Sequence, residues 1–417
     1  MVDAARTVPT ALRDTERGAQ CYLPPAALFF GAVATSLLIL KAAPAPWFWL
    51  WLTWAAALFG GIFFLRGSWP RATLFNLGIV ACLLAAAEGY LITHEYVPPI
   101  YPDGGFFVPD DVLGWAPAKG AHAHAIKYLP AGLQHRPEGL LFDRIYTIDS
   151  NGLRVAPPFR KDDLAGTVLF FGCSFTFGDG LGDTETMPYQ VGVQSGGRYR
   201  IFNFAFQAYG PHQMLAAIEN GMVRRIVDTT PQYAIYVALP SHVWRVAGRV
   251  AWGGHAPRYL LDASGTPHQS GYLRDRKPLA QRLGIRRGVG QLNKSAIYRL
   301  LSNGDSRVND DDIRLYFAVV RRSQELLTAQ YPGLQFHVIL WPNQDAQQQR
   351  YAYERMRDQF LRMGYPLHLV EEILPEYSAH RSRFVLNSPT DTHPNALANR
   401  LIAQYVLDKV LPQSAAR

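Results

Sequence analysis

The chain is poor in charge and in cysteine. Asp, Glu, Lys and Arg make up 18% of its 417 residues, against about a quarter in an ordinary soluble domain. Part of it is therefore built to avoid water. Three cysteines, Cys21, Cys82 and Cys173, do not make a disulfide framework. Cys173 reads as a small buried residue rather than a redox thiol. No Gly-x-x-x-x-Gly-Lys-Ser/Thr run occurs, which excludes a P-loop phosphate site. His122 and His124 are neighbours, but no acid or third histidine stands at ligand spacing beside them. Neither a metal nor another cofactor is expected.

What is present begins with three apolar runs, at 24–40, 47–65 and 72–92. Each is near the roughly 20 residues that cross a bilayer core, and only the third carries a charge, Glu88. They are expected to be three transmembrane helices. Trp47, Trp49, Trp51 and Trp54 suit the membrane interface. The tail carries Arg6, Arg13 and Arg17, and the loop after the second run carries Arg66 and Arg71. Positive residues collect on the cytoplasmic side, so the expectation is a multi-pass bacterial inner-membrane protein with residues 99–417 facing the periplasm. Glu88 is either a functional intramembrane acid or a side chain that reaches the interface.

From residue 99 the pattern changes. A lead-in at 99–165 is rich in Pro-Asp, Asn-Gly and Pro-Pro turn signals. Apolar strands then alternate with helical stretches. Strands are expected at 168–171, 200–204, 233–239 and 335–341, and helices at 184–194, 213–227, 310–329 and 395–410. That alternation argues for an α/β domain with a parallel sheet between helical layers. An insertion at about 244–310 interrupts it. Its basic run, RDRKPLAQRLGIRRGVGQLNKSAIYR, could face anionic lipid or an acidic polysaccharide, or cover the site. The extracytoplasmic placement excludes nucleic acid as a partner.

The chemistry centres on VLFFGCSFTFGDGLGDTETMP, beginning at Val168. An apolar strand ends in a corner of small residues, where open α/β sheets place their chemistry. Ser174 in that corner is either a nucleophile or only a turn residue. A serine nucleophile needs a base, and the base an orienting acid. Among the histidines, His393 in NSPTDTHPNALANRL stands out, because Asp391 and Pro394 accompany it just before an expected helix.

These stretches resemble the SGNH (GDSL-like) hydrolases over about residues 105–411. FFGCSFTFGDG is similar to their first block, IFNFAFQAYGPHQML to the second, DTHPNALANRLIA to the last. YTIDSNGLR resembles the lead-in of membrane-anchored members. The resemblance implies a three-layer domain and acyl transfer, with Ser174 as nucleophile, His393 as base and Asp391 as its orienting acid. It also implies an oxyanion hole from the N–H of Ser174 and that of Ala208 or Gly210. Departures are Cys173 where Asp is usual, Ala208 near the usual Gly, and an Asp–His spacing of two. ALPSHVWR stands where Gly-x-Asn-Asp is expected. Ser241 or His242 stands in for the missing Asn, with Arg245 and Thr176 on the substrate side. The function expected is a membrane-anchored esterase or O-acyltransferase acting on envelope glycans or small esters. The alternative is an inactive SGNH fold that binds glycan or a partner protein.

Overall fold

The computed structural model describes residues 23–43, 45–93, 98–129, 137–275, 292, 294–302, 308–342, 347–388 and 390–411. It divides into two compact units, residues 1–95 with 279–302, and residues 96–278 with 303–417.

The first unit contains helices α1 (Leu23–Ala42), α2 (Pro46–Ile62) and α3 (Ser68–Thr93). Gly78 lets α3 approach α2, since a Cβ there would lie 2.8 Å from the Phe59 ring. Among the described residues only α3 is long and apolar enough to cross a membrane. Three spans were expected, and two fall short of that measure. The 17 residues of α2 rise only about 25 Å at 1.5 Å per residue, and the described apolar part of α1, Ala26–Ala42, is equally short. Glu88 does not reach out of this unit. It is fully buried, and it accepts hydrogen bonds from Ser295 Oγ (3.0 Å) and the N–H groups of Ala296 (2.6 Å) and Ile297 (3.0 Å). It thereby caps the short helix Ala296–Ser302.

The second unit is built on a five-stranded parallel sheet. Its strands are β1 (Gly166–Phe171), β2 (Tyr199–Asn203), β3 (Tyr233–Ala238), β4 (Gln335–Leu340) and β5 (Leu367–Leu369), in the order β5-β4-β3-β1-β2. All six residues of β1 are buried, as a central strand covered on both faces requires. Alternation assigns the faces. Leu169 and Phe171 pack in one core with Leu215, Tyr316 and Val319, from helices Pro211–Glu219 and Asp310–Gln330. Val168 and Phe170 pack in the other with Val191 and Ile402, from helices Met187–Gln194 and Ala396–Tyr405. The order of connection reverses between β1 and β3, so the crevice at their C-terminal ends is the natural ligand position.

The four expected strands are present within a residue or two. The expected helix at 213–227 is two helices, Pro211–Glu219 and Met222–Ile226, broken at Gly221, whose φ is +67°. The edge strand β5 and helix Gln347–Arg362 were not anticipated. The insertion contains a hairpin, Pro257–Leu261 with Pro267–Tyr272. Residues 276–291 of its basic run lie outside the described residues.

Candidate active site

β1 ends at Phe171, and a single helical turn, Ser174–Phe177, comes directly after it. Ser174 is its first residue and is buried. Gly178 ends the turn with φ +85°, and a Cβ there would lie 2.4 Å from Thr186. Only glycine fits that corner. Arg154, from the SNGLR stretch, braces the end of this turn and the loop beyond it. It is fully buried and donates to the carbonyls of Phe177 (3.2 Å), Gly178 (3.1 Å) and Leu181 (2.7 Å), and to Asp183 (3.0 Å). Its guanidinium also lies 4.2 Å above the Tyr146 ring.

His393 comes from the other end of the domain. It sits on the short strand Asp391–Pro394, paired antiparallel with Val385–Asn387. Ser174 Oγ lies 2.8 Å from His393 Nε2, and His393 Nδ1 lies 2.6 Å from Asp391 Oδ1. The same oxygen accepts from the His393 backbone N–H at 3.0 Å, so ring and backbone are fixed by one carboxylate. The Phe175 ring, 5.1 Å away, backs the imidazole. Neutral histidine with its proton on Nδ1 leaves Nε2 to accept from the serine.

Asp391 has a second partner that the sequence did not point to. Lys127, buried on the hairpin strand His122–Tyr128, donates to Asp391 Oδ2 at 2.6 Å. Burial pushes the Asp391 carboxyl up, but His393 and then Lys127 outweigh it and hold it well below the carboxylate range. A signal was present: Ala123, Ala125 and Lys127 alternate as the buried positions of that strand, so a lysine stands where the pleat faces inward. A second such residue is Asp179, in the glycine-rich corner itself. It is 3% exposed, and its Oδ2 lies 3.9 Å from His393 Nε2.

Ala208 has φ +67° and is the only non-glycine in the left-handed region among the described residues. Such a conformation costs an L-residue about 1–2 kcal/mol and marks a turn whose shape is imposed. Gly210 does not keep its N–H for a ligand: it donates to Gln213 Oε1 at 2.8 Å. His242 is fully buried, with Nδ1 2.7 Å from the Tyr236 hydroxyl and Nε2 enclosed without a partner among the described residues. Burial, then Arg245 and His212, drives its pKa well down, so it is neutral. Arg245 donates from Nη1 to the Tyr209 carbonyl at 2.5 Å and lies over Trp252. Thr176 corrects its assignment to the substrate side. It is fully buried, and its Oγ1 fills the space a Cβ of Gly172 would need, so it packs the strand exit. His122 and His124 lie on the hairpin, where His124 pairs with Asp143.

No family model matches the chain, and no curated protein matches it. Among solved structures it is similar to a member of the lipolytic protein G-D-S-L family from Veillonella parvula, at 13% identity and TM-score 0.33, over 59% of this chain and 98% of that one. It is similar to a G-D-S-L family protein from Desulfitobacterium hafniense at 8% identity and TM-score 0.27, over 58% and 97%. A carbohydrate esterase, described as having an active site with divergent catalytic and non-catalytic binding functions, is similar at 10% identity and TM-score 0.31, over 63% and 68%. The chemistry of this chain therefore rests on its own geometry.

Proposed function

We propose that this chain is a serine esterase or O-acyltransferase working through an acyl-serine intermediate. The observation that carries the reading is the continuous row Ser174 Oγ, His393 Nε2, His393 Nδ1, Asp391 Oδ1, at 2.8 and 2.6 Å. Ser174 Oγ attacks the ester carbonyl while its proton passes to His393 Nε2. The carbonyl–alkoxy bond breaks, and the proton leaves with the alcohol. Asp391 stabilises the imidazolium formed between these steps. The N–H groups of Ser174 and Ala208 are the proposed oxyanion donors; each such donor is typically worth about 2.7–4 kcal/mol of barrier.

The chain is anchored in a membrane through its N-terminal helices. Support comes from α3 and from the exposure of Phe30, Leu38, Phe63, Trp69 and Leu83 in the same unit, an apolar surface that water disfavours. The distribution of Lys and Arg favours an extracytoplasmic enzyme domain, and ester groups on envelope glycans are the substrates within its reach.

The test is turnover of p-nitrophenyl acetate by the detergent-solubilised chain beside its Ser174→Ala variant. Loss of roughly 10³-fold or more in kcat is expected, the scale on which removing a serine nucleophile acts. Equal rates would leave the fold as a binding module only.

A further inference from the structure

A carboxylate taken out of water must recover hydrogen bonds from donors placed around it. Asp179 recovers them on one side. Its Oδ1 accepts from the Tyr146 hydroxyl at 2.8 Å and from Gln207 Nε2 at 2.7 Å. Gln207 is held in turn by the Tyr101 hydroxyl, and the Asp179 N–H donates to the Ser174 carbonyl at 2.9 Å. The other oxygen, Oδ2, has no hydrogen-bond donor among the described residues. It faces the reacting groups, 3.9 Å from His393 Nε2, the atom that also lies 2.8 Å from Ser174 Oγ. The anchoring fixes the carboxylate so that its open oxygen lies beside the proton-carrying nitrogen.

Two carboxylates thus address one imidazole from opposite ends. Asp391 holds Nδ1. Whenever Nε2 is unprotonated, at the start of either half of the reaction, it offers no hydrogen toward Oδ2, which is then open to a donor that the substrate brings. In the second half the serine is acylated and an acceptor occupies the space over Nε2.

We propose that Asp179 Oδ2 receives a hydrogen bond from a second hydroxyl of the acyl acceptor, making the site selective for vicinal diols, the hydroxyl pattern of carbohydrates. One hydroxyl of such a pair presents its hydrogen to Nε2. Its neighbour, a hydrogen-bond length away along the same molecule, reaches Oδ2. The first oxygen bonds the acyl carbon while its proton passes to Nε2. The acyl carbon–Oγ bond then breaks, and that proton returns to Ser174 Oγ. A monohydroxyl alcohol or water makes only the first contact, and an anionic acceptor is repelled by the buried charge. This rests on the acyl-serine reading above, and deepens it by naming the acceptor class.

The experiment uses the full chain in detergent, with p-nitrophenyl acetate as donor and glycerol or propan-1-ol as acceptor. The acetylated acceptor is quantified by mass spectrometry. A fluorophosphonate probe reports the Ser174 nucleophile in every variant. The expected result is a preference for glycerol of roughly tenfold or more, the scale of one hydrogen bond to a charged group. Asp179→Asn keeps Oδ1 for Tyr146 and Gln207 and is expected to bring the two acceptors to similar yields. Probe labelling with no glycerol preference in the unaltered chain overturns the inference and leaves the esterase reading standing. So does an undiminished preference in a labelled Asp179→Asn variant. Absence of labelling and turnover in the unaltered chain overturns both. The comparison of acceptors in the unaltered chain decides even where the variant fails to fold.

Discussion

At the scale of single residues, Lys127 sets the working range of the site. Its ammonium is one of the causes that hold the buried Asp391 carboxyl below its ordinary value, after His393. A group of depressed pKa keeps its ionised function above that value and loses it as pH falls through it. Removing Lys127 takes away one cation beside the Asp391–His393 pair, leaves the His393 contribution in place, and raises the pH at which the pair takes up a proton. Lys127→Met is therefore expected to move the acid limb of kcat/KM upward by roughly one pH unit, and Lys127→Arg to restore it. A loss of rate with no movement of the limb would mean that Lys127 only fills space.

Residue by residue, the sequence carried the Ser174–His393–Asp391 row further than its surroundings. Gly172, Ser174 and Gly178 announced a corner after a strand, and Asp391 with His393 announced a partner before a helix. Both are local patterns. Lys127 meets Asp391 across 264 positions, and no local pattern encodes that meeting. Asp179 was in plain view but had no periodic or motif reason to be singled out. Its meaning depends on Tyr146 and Gln207, which arrive from the hairpin and from the turn after β2.

At the scale of elements, the clearest case is the cap that Glu88 places on helix Ala296–Ser302. One buried carboxylate satisfies two backbone N–H groups and a hydroxyl. Glu88→Ala strands all three donors, at about 1–3 kcal/mol each for buried groups. Hydrogen exchange at the Ala296 and Ile297 amides is expected to accelerate strongly, with Ser174-dependent turnover retained. Unchanged exchange would mean that the short helix is held by packing alone. In sequence, Glu88 showed only as an acid in an apolar run, because its partners lie 207 to 209 positions away. The strands were legible because a central parallel strand is apolar throughout. The edge strand β5, three residues of intermediate burial, gave no such run.

At the scale of the whole molecule, buried histidines tie stability to pH. Burial and then Arg245 pull His212 down to about 3, and His242 lies well below its ordinary value. Both would titrate near 6.5 when unfolded. Below that pH the unfolded chain binds protons that the native one refuses, so stability falls as pH drops from about 6.5 toward 3. Each group contributes roughly 1 kcal/mol per pH unit across that window. The thermal midpoint of the solubilised chain is expected to be lower at pH 5.5 than at pH 7.5. His242→Gln is expected to start lower and fall less. An identical slope would assign the pH dependence to other groups.

The position of His393, on the short ladder before helix Ala396–Tyr405, has a consequence for synthesis. Domains form as their segments emerge from the ribosome, earliest part first, and here Ser174 is made 219 positions before His393. A growing chain therefore holds Ser174 before the imidazole proposed to activate it exists. On the proposed reading, a chain cut short before Asp391 is expected to hold Ser174 without the groups that would activate it, and to show no acyl transfer.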